Sequence, residues 1–195
     1  MSTLAPPPFC CEMLDNSFRP EPIDEYAVVS YIPGDLGCFI TDLRKELVQN
    51  CFARSHVTIL PPRPLADPKA ALEQLQEYLQ KFRAFDIELP GLEVFHQTSV
   101  IYAEITDGKD ILREMHETLN AGFLEHDEQY EFHPHVTLAQ GLTPGTVDKS
   151  FCEAKGRWNK AAPARRVHIS NVTFVQNTTA NIWLDLNEFL LPERS

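Results

Sequence analysis

His56-Val57-Thr58-Ile59-Leu60 and His135-Val136-Thr137-Leu138-Ala139 are one pattern written twice: an imidazole and a hydroxyl separated by valine, then two apolar residues. The first lies in the β-branched run RSHVTILPP, closed by Pro61 and Pro62, and the second in HPHVTLAQ, opened by Pro134. Both stretches predict short strands. Side chains i and i+2 leave a strand on the same face, so each triplet directs His and Thr to one side and sends valine into the opposite layer. Two such strands can line a single cleft.

The segments around the two triplets recur in the same order. Residues 26–33, YAVVSYIP, predict a buried strand ended by Pro33-Gly34, and residues 35–50 place Leu36, Phe39, Ile40, Leu43 and Leu47 on one helical face. After the first triplet, Asp67 and Pro68 take N-cap and first-turn positions of a helix carrying Leu72, Leu75 and Leu79. Two apolar runs, 87–95 and 99–105, flank the turn His96-Gln97-Thr98 and predict neighbouring strands, the first interrupted at Pro90-Gly91. Residues 99–105 also open the second half, followed by a helix over 107–122, the second triplet and a helix over 143–161. Two long strands, 165–176 and 180–191, close the chain. The repeated order predicts two pseudo-equivalent α+β lobes. Residues 1–25 are proline-rich and lack any period, which makes them an N-terminal arm and leaves 26–195 as one bilobal domain.

Composition narrows the partners. A hydrophobic content of 43% over 195 residues supports a sizeable interior and excludes disorder over the whole length. With 17 basic against 28 acidic residues the formal charge is −11, which repels the phosphate backbone of duplex DNA or long RNA but leaves a small or terminal nucleic-acid substrate open. No apolar run approaches a membrane span and no secretory signal opens the chain, so a cytoplasmic protein with no membrane association is expected. The cysteines at 10, 11, 38, 51 and 152 form no C-x-x-C pair, so reduced thiols are expected in place of a disulfide framework or structural zinc.

The bare His-x-Ser/Thr spacing is unselective, since five of the seven histidines have it. His116 falls within a predicted helix and His96 in a turn, while His168 lies in a strand but is followed, after serine, by Asn171. Only His56 and His135 have valine between and an apolar pair after threonine. Two imidazoles facing one phosphodiester supply a base for the attacking oxygen and an acid for the departing one. Thr58 and Thr137 are suitable donors to the non-bridging phosphoryl oxygens.

At these residues the sequence resembles the 2H phosphoesterase superfamily, in particular its 2′,5′ RNA ligase / cyclic nucleotide phosphodiesterase branch, over about Tyr26 to Leu191 in element order. The sharpest point is Phe132-His133-Pro134-His135-Val136-Thr137-Leu138, which looks like the second motif of that branch. The resemblance implies two α+β lobes related by a pseudo-twofold axis, with antiparallel sheets lining a central cleft and helices outside. It implies that His56 and His135 are catalytic, that Thr58 and Thr137 hold the phosphate, and that neither metal nor another cofactor is needed. The position just after the second motif, frequently basic in this branch, is Gln140.

The expected activity is therefore a metal-independent phosphodiesterase acting on nucleotide or RNA termini that carry a 2′,3′-cyclic phosphate or a 2′-5′ linkage. A non-catalytic nucleotide or RNA-end binding module with the same phosphate cradle is the alternative. A metal site from His133 and His135 with Glu131 or His126 is a third reading. Arg54 shares a strand face with His56 and is placed either to neutralise phosphate charge or to remain solvated, whereas Arg63, Arg165 and Arg166 are weaker candidates. Tyr31, Tyr102, Phe132, Phe174 and Trp183 lie on or beside predicted strands, where core packing competes with base stacking. Which histidine is acid, the natural substrate and the oligomeric state stay open.

Overall fold

The computed structural model describes residues 20–49, 51–161 and 163–193. Most of the expected arm, with Cys10 and Cys11, lies outside them. The chain runs β1 (Pro22–Tyr31), α1 (Gly34–Leu47), β2 (His56–Arg63), α2 (Pro68–Leu79), β3 (Phe85–Glu88), β4 (Leu92–Phe95), β5 (Val100–Glu104) and α3 (Lys109–Leu119). A short 3-10 turn (Gly122–Leu124) precedes β6 (His135–Ala139), α4 (Pro144–Ala161), β7 (Arg166–Ile169), β8 (Asn171–Thr178) and β9 (Leu184–Leu190).

The alternation expected of the two H-V-T triplets is realised. Val57 and Ile59 are buried in β2, as are Val136 and Leu138 in β6, while the His and Thr of each triplet keep partial exposure; the alternation ends there, since Leu60 and Ala139, next in each strand, are buried too. Burying a valine or leucine side chain completely contributes about 1.5–3 kcal/mol, so this apolar face fixes which way the polar face points. The two strands meet in antiparallel pairing, Val57 opposite Val136.

That pairing joins two lobes into one antiparallel sheet of order β4-β5-β6-β2-β1-β8-β9, with β3 and β7 forming a separate two-stranded sheet. The two halves of the chain are interleaved. β8, from the second half, pairs with β1 of the first, and β4, from the first half, pairs with β5 of the second. The helices exchange in the same sense, α1 packing on β6 and α3 on β2. Leu36, Ile40 and Leu43 of α1 and Leu112, Met115 and Leu119 of α3 share one core with Val57 and Val136. In α2, the Asp67 carboxylate accepts from the backbone N–H groups of Lys69 and Ala70, and Pro68 fills the first turn, as the sequence pattern requires.

Several boundaries differ from the sequence reading; the run 87–95, for one, divides at Pro90-Gly91 between β3 and β4, which lie in different sheets. β1 begins at Pro22, ahead of Tyr26, because residues 22–26 find partners on β8. β2 runs on through Pro61 and Pro62 to Arg63; its pairing with β6 is confined to Val57, so the missing proline N–H groups interrupt no ladder on that side. The long strand expected over 165–176 is divided at Ser170, with β7 joining β3 and β8 joining β1.

Gly37 lets the β1–α1 junction close on the residue before His56. Its carbonyl accepts from Ser55 Oγ at 2.9 Å, while Ser55 N–H donates to Thr41 Oγ1 and Ile32 N–H donates to Ser55 O. A Cβ at position 37 would lie 1.9 Å from the Ile32 carbonyl oxygen. Gly37→Ala is expected to destabilise by about 2 kcal/mol or more, lowering the thermal midpoint by about 4 °C or more in a circular-dichroism melt. An unchanged midpoint would show that the junction relaxes freely.

Candidate active site

The register of the two valines decides what the polar face presents. With Val57 opposite Val136, His56 stands across from Thr137 and Thr58 across from His135, all on the face away from the core. The two imidazoles are diagonal neighbours, a relation that in a regular ladder sets residues about 7–8 Å apart, with Cβ atoms somewhat closer. Both rings are tethered alike. His56 Nδ1 donates to the Arg54 carbonyl at 2.7 Å, and His135 Nδ1 donates to the His133 carbonyl at 2.6 Å. A carbonyl oxygen only accepts, so each neutral ring carries its proton on Nδ1 and keeps Nε2 as a free acceptor.

Burial pushes the His56 pKa down to about 4, and the positive charge of Arg44, of His135 when protonated and of Arg54 adds to the depression, against the opposing hydrogen bond to the Arg54 carbonyl. His135 is also lowered by burial, with its bond to the His133 carbonyl working in the other direction. Both rings therefore rest neutral near pH 7.

Each imidazole has an aromatic wall. Tyr31 meets His56 edge-on at 6.4 Å between ring centroids, and Phe95, stacked on Tyr102 at 3.9 Å, meets His135 edge-on at 5.1 Å. Arg54 lies 3.6 Å over the Tyr31 ring, and Asp185 binds both the Tyr31 hydroxyl and the Arg54 guanidinium. Two hollows spread from the triplets and share Thr58, Pro62, Thr137 and Gln140. One, of about 600 Å³, includes His56, Tyr31, Arg44, Arg54 and Trp183; the other, of about 780 Å³, includes His135, Phe95, His96, Tyr130 and Phe132.

The four residues singled out by sequence, His56, Thr58, His135 and Thr137, thus come together at the junction of the two hollows. The remaining His-x-Ser/Thr positions do not join them as a pair. His116 is buried in α3, donating from Nδ1 to the Ile59 carbonyl and stacking on Phe132, and His168 sits on β7 against Asp86. His133 packs edge-on against Phe95, and among the described residues its buried Nε2 has no hydrogen-bond partner. Among the described residues no three His, Cys, Asp or Glu side chains converge as metal ligands.

Of the aromatic candidates, Tyr31, Phe132 and Trp183 line the cleft, whereas Tyr102 and Phe174 are buried. Arg63, ranked low because two prolines precede it, is a buried anchor: it pairs with Glu128 at 2.6 Å and donates to Asn120 Oδ1 and the Leu124 carbonyl, tying the wall of the larger hollow to β2. Arg165 and Arg166 engage Pro90, Asp86 and Asp107 instead of the cleft. Sequence reasoning missed Arg44, which lines the smaller hollow from α1 and donates to the Thr137 carbonyl. The available signal was a charge beside Leu43 and four residues after Ile40, on a helix face otherwise apolar.

Residues 39–181 match the sequence profile described as "2'-5' RNA ligase superfamily". A protein of Geobacillus kaustophilus (strain HTA426) named "Putative phosphoesterase" is 28% identical over 131 residues, 62% of this chain and 71% of that protein. The crystal structure of E. coli LigT complexed with 3'-AMP superposes with a TM-score of 0.59 at 14% identity, covering 89% of this chain and 99% of that one. LigT complexed with ATP gives the same TM-score and coverages at 16% identity. At such identities the structural likeness establishes the two-lobed α+β fold alone. The profile, however, spans both H-V-T strands and most of the chain, and on that ground the protein belongs to the 2'-5' RNA ligase superfamily, the 2H phosphoesterases.

Proposed function

We propose that the protein is a phosphodiesterase that opens 2′,3′-cyclic phosphate ends, or cleaves or reverses 2′-5′ linkages, at nucleotide or RNA termini, by paired-histidine acid–base catalysis without a metal requirement. One observation carries this reading: two imidazoles, each beside a threonine hydroxyl, share one face of adjacent antiparallel strands at the junction of two hollows. The spacing of diagonal neighbours leaves room for one phosphoryl group between the rings. The complexes of LigT with ATP and 3'-AMP support a nucleotide as the ligand class.

In this mechanism His56 is the base and His135 the acid, because the cationic Arg44 and Arg54 line the hollow beside His56 and oppose its protonation, whereas neither acts on His135. His56 Nε2 takes a proton from the attacking water as its oxygen bonds to phosphorus. His135, protonated on Nε2, gives its proton to the ribose oxygen as that P–O bond breaks. Thr58 and Thr137 donate to the non-bridging oxygens, where negative charge grows in the transition state. In the reverse direction the two rings exchange duties.

His56→Ala and His135→Ala are each expected to lower kcat/KM on a 2′,3′-cyclic nucleotide by about a thousandfold, with EDTA leaving the wild-type rate unchanged. Near-wild-type turnover in either variant would remove the mechanism, and binding of nucleotide with no turnover in the wild type would favour a non-catalytic binding module.

The pH profile carries a sign. Activity requires His56 deprotonated, so kcat/KM should rise with pH through about 4. It also requires His135 protonated, so kcat/KM should fall as pH rises through a value that burial places below the ordinary 6.5. The optimum in kcat/KM is expected on the acid side of 6.5, with the kcat profile displaced upward, because a bound phosphodiester anion favours the protonated rings. A kcat/KM optimum well above pH 7 would contradict the assignment.

A further inference from the structure

We propose that Arg44 is the buried cation of the phosphate site, delivered from α1 to bind the substrate's non-bridging phosphoryl oxygens. This inference deepens the reading above and rests on it for the identity of the anion as a phosphodiester.

Among the described residues Arg44 is a buried charge without a counter-ion. It is only 5% exposed, yet among the described residues it makes no ion pair, and its Nε is buried without a hydrogen-bond partner. One guanidinium nitrogen donates to the Thr137 carbonyl, a neutral acceptor. The other arginine buried to this degree, Arg63, is neutralised by Glu128. Withdrawing a cation from water costs several kcal/mol unless an opposite charge meets it. A neutral donor would hold the Thr137 carbonyl without that penalty, so the backbone contact alone does not account for an arginine here. What does account for it is an anion that arrives with the ligand.

Its position is independent support. Arg44 lines the same hollow as His56, Thr58, Thr137 and Gln140, and its charge is felt at His56, whose ring it helps to keep neutral. With both imidazoles neutral, the centre of the site carries the single positive charge of Arg44, because Arg54, the other arginine of the hollow, is paired with Asp185. A phosphodiester carries one negative charge. The guanidinium therefore lets the diester bind without protonating the histidines first, and its planar set of donors suits two oxygens of one phosphoryl group. With His135 protonated and His56 having taken the water's proton, Arg44 and the two rings place three positive charges around the phosphoryl group as its own charge grows toward two negative.

The test uses the full chain, inorganic phosphate as the probe and two variants. Arg44→Met removes charge and donors, and Arg44→Gln removes the charge while keeping a donor for the Thr137 carbonyl. By calorimetry, both are expected to bind phosphate at least tenfold more weakly than wild type, and phosphate should no longer raise their thermal midpoints. Without phosphate, the midpoint of Arg44→Gln should be equal to or above that of wild type, since an uncompensated buried cation is gone. Phosphate affinity within twofold of wild type in a folded variant would overturn the proposal, as would a fall in the phosphate-free midpoint with affinity retained. If phosphate binding depends on Arg44 but the wild type turns over no cyclic or 2′-5′ substrate, the proposed function fails and this inference stands. Turnover with phosphate affinity independent of Arg44 would sink this inference and leave the proposed function in place.

Discussion

The antiparallel pairing of Val57 with Val136 is the contact on which the arrangement depends. Because side chains alternate along a strand, a slip of one residue in either partner would turn His and Thr into the core and valine into the cleft. The register is held by apolar burial on the far face, where Val57, Ile59, Val136 and Leu138 are fully enclosed. Hydrophobic packing, with no chemistry of its own, thereby aims the polar groups. The carbonyls of Arg54 and His133, each two residues back from its histidine, complete the aim by fixing ring tautomer as well as ring orientation.

Electrostatics within the cleft run against those of the surface. Outside, the chain is strongly acidic, and Asp127 and Glu131 stand exposed on the wall of the larger hollow. A polyanion approaching from that side meets carboxylates within the Debye length of about 8 Å at physiological salt. Inside, burial keeps the imidazoles uncharged and α1 supplies a guanidinium.

Much of this was legible in the residues. The duplicated triplet, its i and i+2 geometry and the repeated element order were enough to anticipate two α+β lobes and to bring His56, Thr58, His135 and Thr137 together. The misses share a cause: the deciding information lay in a distant segment. Nothing in Arg165 to Gln176 marks Ser170 as the point where the strand leaves one sheet for another; that follows from β3 offering partners to Arg166–Ile169 and β1 to the residues beyond. Pro61 and Pro62 look like a stop until β6 is seen to pair with β2 only at Val57. Arg63 and Arg44 acquire their places from a loop carrying Glu128 and from a helix packed under the opposite lobe's strand.

The interleaving of the two halves also bears on how the chain is made. β1 has only β2 beside it until β8 emerges from the ribosome, and α1 lacks the strand it packs on until β6 has been synthesised. Neither lobe closes its interior from its own half of the sequence, so folding during synthesis is held back until most of the polypeptide is available. Contacts so distant in sequence carry a loop-closure cost before they return any stability, which places the protein among high-contact-order, slow-folding topologies. For the same reason an ancestral duplication, if one produced the repeat, has become one inseparable unit instead of two domains on a string.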